Sequence, residues 1–264
     1  MELIISHLIY DKRSLLACSL TCHPWYIAAV SHLHHSLTTE DKPPLFESAK
    51  GHSWPGPLRK SYELVLLPLV KRFQIRLPGS DRSTFTSDQL DRHTLRYFSA
   101  LTNLQELGID YLQIPSFMPN IQQCFGHLSP TLRLLALGEP RGSSRQILYF
   151  IGLFPNLQDL KLHYPFLKDE TESAADATLV PPSIPPLRGR LILTCFTRED
   201  LIKDMVASFG GLRFRNMDLF MVKCVRLLLD ACADTLETLK VYPTDLYGEE
   251  FHEWKRNRTQ VSNW

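Results

Sequence analysis

Four segments of the chain repeat one hydrophobic pattern: Leu104-x-x-Leu107-x-Ile109, Leu132-x-x-Leu135-x-Leu137, Leu157-x-x-Leu160-x-Leu162 and Leu236-x-x-Leu239-x-Val241. Looser copies fit at Leu187 to Leu193 and at Leu212 to Leu219, and Phe73-Gln74-Ile75-Arg76-Leu77 reads as an earlier strand. Alternate residues of a strand point to opposite faces, so Leu107 and Ile109 enter a core together while Gly108 points out. Between these strands lie stretches with helical spacing. Ile121, Phe125 and Leu128 form one apolar face, Leu201, Met205 and Phe209 a second, and Val225, Leu228, Leu229 and Cys232 a third. Thr197-x-x-Asp200 offers a capping-box start for the second. Strand then helix, repeated, predicts a parallel sheet with crossovers packed on one side.

The step from Leu104 to Leu236 divides into five repeats of about 26 residues, a period that with an L-x-x-L-x-L core belongs to leucine-rich repeats. The fold expected over 62–249 is therefore α/β: an irregular leucine-rich-repeat-like solenoid of half a dozen or more short parallel strands. Its expected core holds Leu107, Ile109, Leu135, Leu137, Leu160, Leu162, Leu239 and Val241. Regular repeats place Asn or Cys three residues after the strand, where an Asn side chain bonds the turn backbone. Those positions here hold Leu112, Pro140, Pro165 and Thr244, so that ladder is missing and the arc is irregular.

Residues 1–39 follow a different pattern. Leu3, Ile4 and Leu8 precede a break at Asp11, and Ser14 to Cys22 sets Leu15, Leu16, Ser19 and Leu20 at helical spacings. Pro24 suits the first turn of a third helix, where its missing N–H costs nothing. That helix presents Trp25, Ala28, Ala29 and Leu33 to the other two. The result is a short all-α module with little core of its own. Residues 40–61, with Pro43, Pro44, Pro55 and Pro57, read as a stiff linker. Lys168 to Ala177 and Pro181 to Pro186 read as a surface insertion, because the strand pattern resumes after them, and 250–264 as a polar, basic tail.

Composition narrows the function classes. Lys plus Arg at 29 against Asp plus Glu at 28 gives a formal charge of +1, no chain-wide argument for nucleic acid or an anionic membrane. The apolar runs Leu64 to Val70 and Ile147 to Phe154 are far shorter than the roughly 20 residues that span a bilayer. Glu2 and His7 do not fit a secretory signal, so a soluble protein of the cytoplasm, the nucleus or both is expected. Six scattered cysteines then read as small buried thiols in a reducing compartment. Cys18, Cys22 and His23 with His32, His34 and His35 resemble a zinc inventory, but helical packing needs Cys18 or Cys22. The sequence has no G-x-S-x-G elbow, phosphate-binding Gly loop or H-E-x-x-H, and Gly210-Gly211 reads as a turn. The basic clusters Lys71, Arg72, Arg76 and Lys255, Arg256, Arg258, the latter with Trp254 and Trp264, are short enough to be solvated surface. No catalysis, metal or cofactor is expected.

The stretch from Asp11 to Tyr26 resembles the second and third helices of an F-box. The pattern L-x-x-C-x-x-V/T-C-x-x-W is met by Leu15, Cys18, Cys22 and Trp25, and Glu2 to Leu8 looks like the end of the first helix. The later pattern, including Leu228 to Leu239, is similar to the repeat regions of fungal, especially mushroom-type, F-box proteins. The resemblance covers nearly the whole chain. It implies a non-catalytic substrate receptor of an SCF-type ubiquitin ligase, docked on the adaptor subunit and through it on a cullin, with the repeat arc holding a protein substrate. The matching adaptor-facing positions are Leu3, Ile4, Leu8, Leu15, Leu16, Leu20 and Trp25. F-boxes open with a Leu-Pro and most of a first helix that do not precede Glu2 here, so weak adaptor binding is expected. A reading from another class is a stand-alone repeat scaffold for a protein partner, its helical start serving as a cap.

Overall fold

The computed structural model describes residues 5, 7–8, 11–33, 35–38, 67–75, 99–163, 187–194, 199–208, 212–220 and 225–242. Ile5 and His7 are helical, and the helices α1 (Lys12–Ser19) and α2 (His23–Leu33) follow. Among the described residues an eight-stranded sheet follows: β1 (Ser36–Thr38), β2 (Arg72–Ile75), β3 (Glu106–Asp110), β4 (Leu134–Gly138), β5 (Asp159–His163), β6 (Arg190–Thr194), β7 (Asn216–Phe220) and β8 (Thr238–Tyr242). Its strand order is the chain order, and every neighbouring pair is parallel. Helices α3 (Ile114–Phe117) and α4 (Ile121–Phe125) follow β3, α5 (Ser144–Gly152) follows β4, α6 (Glu199–Ser208) follows β6 and α7 (Val225–Ala231) follows β7. A sheet laid down strand after strand is what a repeating strand–helix unit produces.

The register stacks the apolar positions into two rows. One runs Phe73, Leu107, Leu135, Leu160, Leu191, Met217, Leu239, and the other Ile75, Ile109, Leu137, Leu162, Leu193, Leu219, Val241. Leu107, Ile109, Leu135, Leu137, Leu160 and Leu162 are fully buried, as the alternation predicts. Leu239 and Val241 depart from expectation and are only half-buried, because β8 has a described strand on one side alone. The looser copies also need correcting by register. Leu191 and Leu193 fill the rows in β6, with Gly189 interposed after Leu187, and in β7 the leading position is Phe214 rather than Leu212.

The helical layer closes over those rows. Ile121, Phe125 and Leu128 are buried as a face, as are Leu201 with Met205 and Leu228 with Leu229 and Cys232, while Val225 is half-buried. An edge-to-face series Phe117–Phe125–Phe150–Phe154, with centroids 5.6, 5.0 and 5.5 Å apart, links the layers that follow β3 and β4. Helix α5 begins in a capping box: Ser143 Oγ accepts from Gln146 N at 3.2 Å, and Ser143 N donates to Gln146 Oε1 at 3.1 Å. Thr197, Phe209 and Gly210-Gly211 lie outside the described residues, as do all of 40–61, 164–186 and 243–264.

Other devices replace the missing ladder. Leu112 belongs to the core and Pro140 is buried. The turns after β3 and β4 pass through left-handed residues, Tyr111 (φ 60°) and Glu139 (φ 47°). Their N–H groups donate to Gly138 O and His163 O, each at 2.6 Å, on the next strand over. At the other end of the strands, Asn103 Nδ2 donates to Pro68 O and Asn156 Nδ2 to Pro130 O, both at 2.9 Å. Each Asn immediately precedes the first Leu of its repeat, so the inter-repeat amide bond exists but sits before the strand instead of after it.

Candidate functional site

Two surfaces stand out, one on each part of the fold. The first is built on α1. Asp11 caps that helix: its Oδ1 accepts from Arg13 N at 3.1 Å and Ser14 N at 3.2 Å, and its Oδ2 from Ser14 Oγ at 2.6 Å. The Ser14 hydroxyl first, then the two backbone bonds, hold the Asp11 carboxyl below the usual carboxylate range against the opposing effect of desolvation. At the other end Ser19 Oγ and Thr21 Oγ1 donate to Leu16 O and Cys18 O at 2.7 Å, so the helix stops at Ser19. The chain turns through Cys22, and α2 starts with Pro24 in its first turn, as expected.

Helical spacing then sorts the leucines. Ile5, Leu15 and Ala29 form the buried centre of this module, with Leu8, Cys18, Trp25, Ala28 and Leu33 packed around it. Leu16, about 100° around α1 from Leu15, and Leu20, the residue that closes the helix one turn later, are 54% and 78% exposed. Tyr26 on α2 is 47% exposed and stacks on His23 at 6.4 Å. Of the adaptor-facing positions that the resemblance nominated, Leu16 and Leu20 are at the surface. Leu8, Leu15 and Trp25 serve the module's own core, and Leu3 and Ile4 lie outside the described residues. Tyr26 was not among those positions, although its place one residue after Trp25 on a short helix puts it on a different face.

The second surface is the face of the sheet opposite the helices. Its ionic groups near the start of the strands are paired. Arg72 Nε and Nη2 donate to Glu106 Oε2 and Oε1 at 2.5 and 2.9 Å, Arg190 pairs with the buried Asp218, and Arg190 N donates to Asp159 Oδ1 at 2.6 Å. Arg72, grouped with Lys71 and Arg76 in the sequence as a basic cluster, is thus neutralised, and Arg76 is outside the described residues. At the far end of the strands His163 Nδ1 lies 2.9 Å from Thr194 Oγ1, and the rings of Phe220 and Tyr242 stack at 4.0 Å and 2°. Burial and then Lys161 push the His163 pKa below its ordinary value, with Asp110 opposing them.

The cysteines divide. Cys124 and Cys232 are buried, and burial raises both thiols, Cys232 to about 11 despite a backbone bond at Phe214. Cys18 is half-buried, but Cys22 is exposed, contrary to expectation, because α1 ends before reaching it. Cys195 and Cys224 lie outside the described residues. Among the described residues no three His, Cys, Asp or Glu side chains converge as metal ligands, and no helix is long and apolar enough to cross a membrane. What the two surfaces offer chemically is contact: exposed leucines on a small helical module, and an aromatic and ionic sheet face. No protein-family model, curated protein or solved structure matches the chain.

Proposed function

We propose that the chain is a substrate receptor of an SCF-type ubiquitin ligase, in which the α1–α2 module binds the adaptor subunit and the sheet, an irregular leucine-rich-repeat-like solenoid, binds a protein substrate. One observation carries this reading: Leu16 and Leu20 lie in water on a module whose core is already filled by Ile5, Leu15 and Ala29. Neighbouring exposed apolar side chains on a small module mark a surface that a partner covers. The F-box resemblance of Asp11 to Tyr26 supplies the partner's identity, and the strictly sequential parallel sheet supports the repeat reading of the remainder. In this role the protein forms no covalent bond; it holds adaptor and substrate together.

The rival reading, a stand-alone scaffold capped by its helices, draws support from the way α2 runs into β1. His35 O accepts from Lys71 N at 3.0 Å and Arg72 N at 2.9 Å, tying the end of the module to the sheet. Affinity capture of the tagged chain separates the two, read by probing for adaptor and cullin. The receptor reading expects both to be retained, and both to be lost with Leu16→Asp combined with Leu20→Asp. Capture of a partner without adaptor or cullin, unchanged by that double substitution, favours the scaffold.

A further inference from the structure

We propose that the open face of β5 to β8 docks an extended acidic segment of the partner protein, with two carboxylates flanking an apolar side chain. The inference rests on the receptor reading only in taking that partner to be a protein.

The register places two outward rows side by side: Lys161, Ile192, Asp218, Lys240 and, next to it, His163, Thr194, Phe220, Tyr242. The centre of this surface is apolar. Ile192 and Phe220 are half-buried, and Tyr242 stacks on Phe220 while remaining 46% exposed. Asp218 is buried and neutralised by Arg190. Lys161 and Lys240 form no ion pair among the described residues, and His163 is biased toward its neutral form. Asp159, outward on β5 two residues before Lys161, accepts from Arg190 N. The balance is therefore three cations against two carboxylates beside an aromatic floor, with Lys161 and Lys240 the two cations that have no ion pair among the described residues. Charge complementarity selects a partner that brings carboxylates to the lysines and an apolar group to the floor.

The strand spacing fixes the pattern. Lys161 and Lys240 stand three strands apart, about 14 Å at roughly 4.8 Å per strand, which an extended peptide crosses in about four residues. Residues i, i+2 and i+4 of such a peptide share one face. The matching motif is acidic-x-apolar-x-acidic, its middle side chain over Ile192 and the neutralised Asp218, with the Phe220 and Tyr242 rings in the row alongside.

The test uses the full chain and three fluorescent probes: a short peptide of that pattern, its counterpart with lysines for the carboxylates, and a single-stranded oligouridine. Anisotropy should show binding of the acidic peptide, weakened by salt. Lys161→Glu combined with Lys240→Glu should weaken it at least about tenfold and create binding of the basic peptide. That gain of binding shows that the variant is folded. Tyr242→Ala should weaken both pairings. Absence of acidic-peptide binding, equal binding of both peptides, indifference to the charge reversal, or tighter binding of the oligouridine each overturns the proposal. Adaptor binding, measured on the same proteins through Leu16 and Leu20, reports separately on the receptor reading.

Discussion

Replacing Gly189 or Gly138 by Ala adds the same methyl group to the same sheet, yet the two should differ severalfold in cost. Both glycines sit beside an aspartate of the neighbouring repeat. At Gly138 the added Cβ meets only the Asp110 side chain, with its Cγ at 3.0 Å and Cα no closer than 3.5 Å, so a χ rotation relieves it. The strand also loses a glycine, worth roughly 0.5–1 kcal/mol in favour of Ala, so the net loss should be about 1 kcal/mol or less. At Gly189 the Cβ meets the Asp159 carboxylate and also the Gln158 carbonyl, O at 2.6 Å and C at 2.9 Å. Backbone cannot rotate away. The same carbonyl accepts from Gly189 N at 3.0 Å, and the same carboxylate accepts from Arg190 N at 2.6 Å, so relief of the clash strains both bonds. Overpacking at about 1–3 kcal/mol plus a weakened hydrogen bond at about 1 kcal/mol gives a loss of about 3 kcal/mol. Urea unfolding followed by far-ultraviolet circular dichroism reads both variants, with midpoints lowered at unchanged slope. A Gly189→Ala protein no less stable than Gly138→Ala would refute the argument that β5 and β6 are clamped at this point.

Phe150→Ala removes the ring that contacts both Phe125 and Phe154, and should cost about 3–5 kcal/mol, the largest single loss in the helical layer; thermal unfolding against Phe117→Ala checks it. Brief alkylation of the native protein at mildly alkaline pH should label exposed Cys22 and spare Cys124 and Cys232, whose thiols burial holds protonated; mass spectrometry showing label on Cys232 first would contradict its packing. Because the folded state resists protonation of His163, the unfolded chain takes up that proton first. Stability should therefore fall as pH drops through about 6.5, the ordinary histidine value, and continue to fall until the lower folded pKa is passed. His163→Gln should flatten that part of the curve, and an unchanged slope would locate the proton uptake elsewhere, His35 being the other histidine whose pKa is lowered, first by burial and then by Lys71 and Arg72.

The strands were legible because their signal is doubled: Leu107 and Ile109 alternate within a strand and then recur in register in the next. β1 was not, since Ser36–Thr38 carries one apolar residue and its partner β2 lies beyond residues 40–61. The Asn bonds to the preceding repeat were visible in principle, as Asn103 and Asn156 both stand directly before a repeat's leading Leu, but attention to the usual position after the strand hides them. At the candidate sites, helical spacing alone could not say which of Leu15, Leu16 and Leu20 faces the module's core. That depends on where Ile5 and Ala29 lie in space, a tertiary fact. The pairing of Phe220 with Tyr242 was equally out of reach, because it needs the register of β7 against β8.

The two readings of the helical module make opposite demands on its packing. A cap exists to cover the end of a repeat core, so its apolar residues should merge with that core. A docking module must keep its own core closed and leave an apolar face for its partner. Ile5, Leu15 and Ala29 form a cluster separate from the continuous core that runs from Leu67 to Cys232. Leu16 and Leu20 are covered by neither cluster. At about 1.5–3 kcal/mol for a fully buried leucine, covering the exposed parts of the two would contribute about 2–4 kcal/mol, or roughly 30- to 1,000-fold in affinity. The backbone bonds of His35 to Lys71 and Arg72 are compatible with either role, for they fix where the module joins the sheet without burying its face. The packing therefore favours docking: α1 and α2 are held at the first strand of the sheet but are not consumed by it.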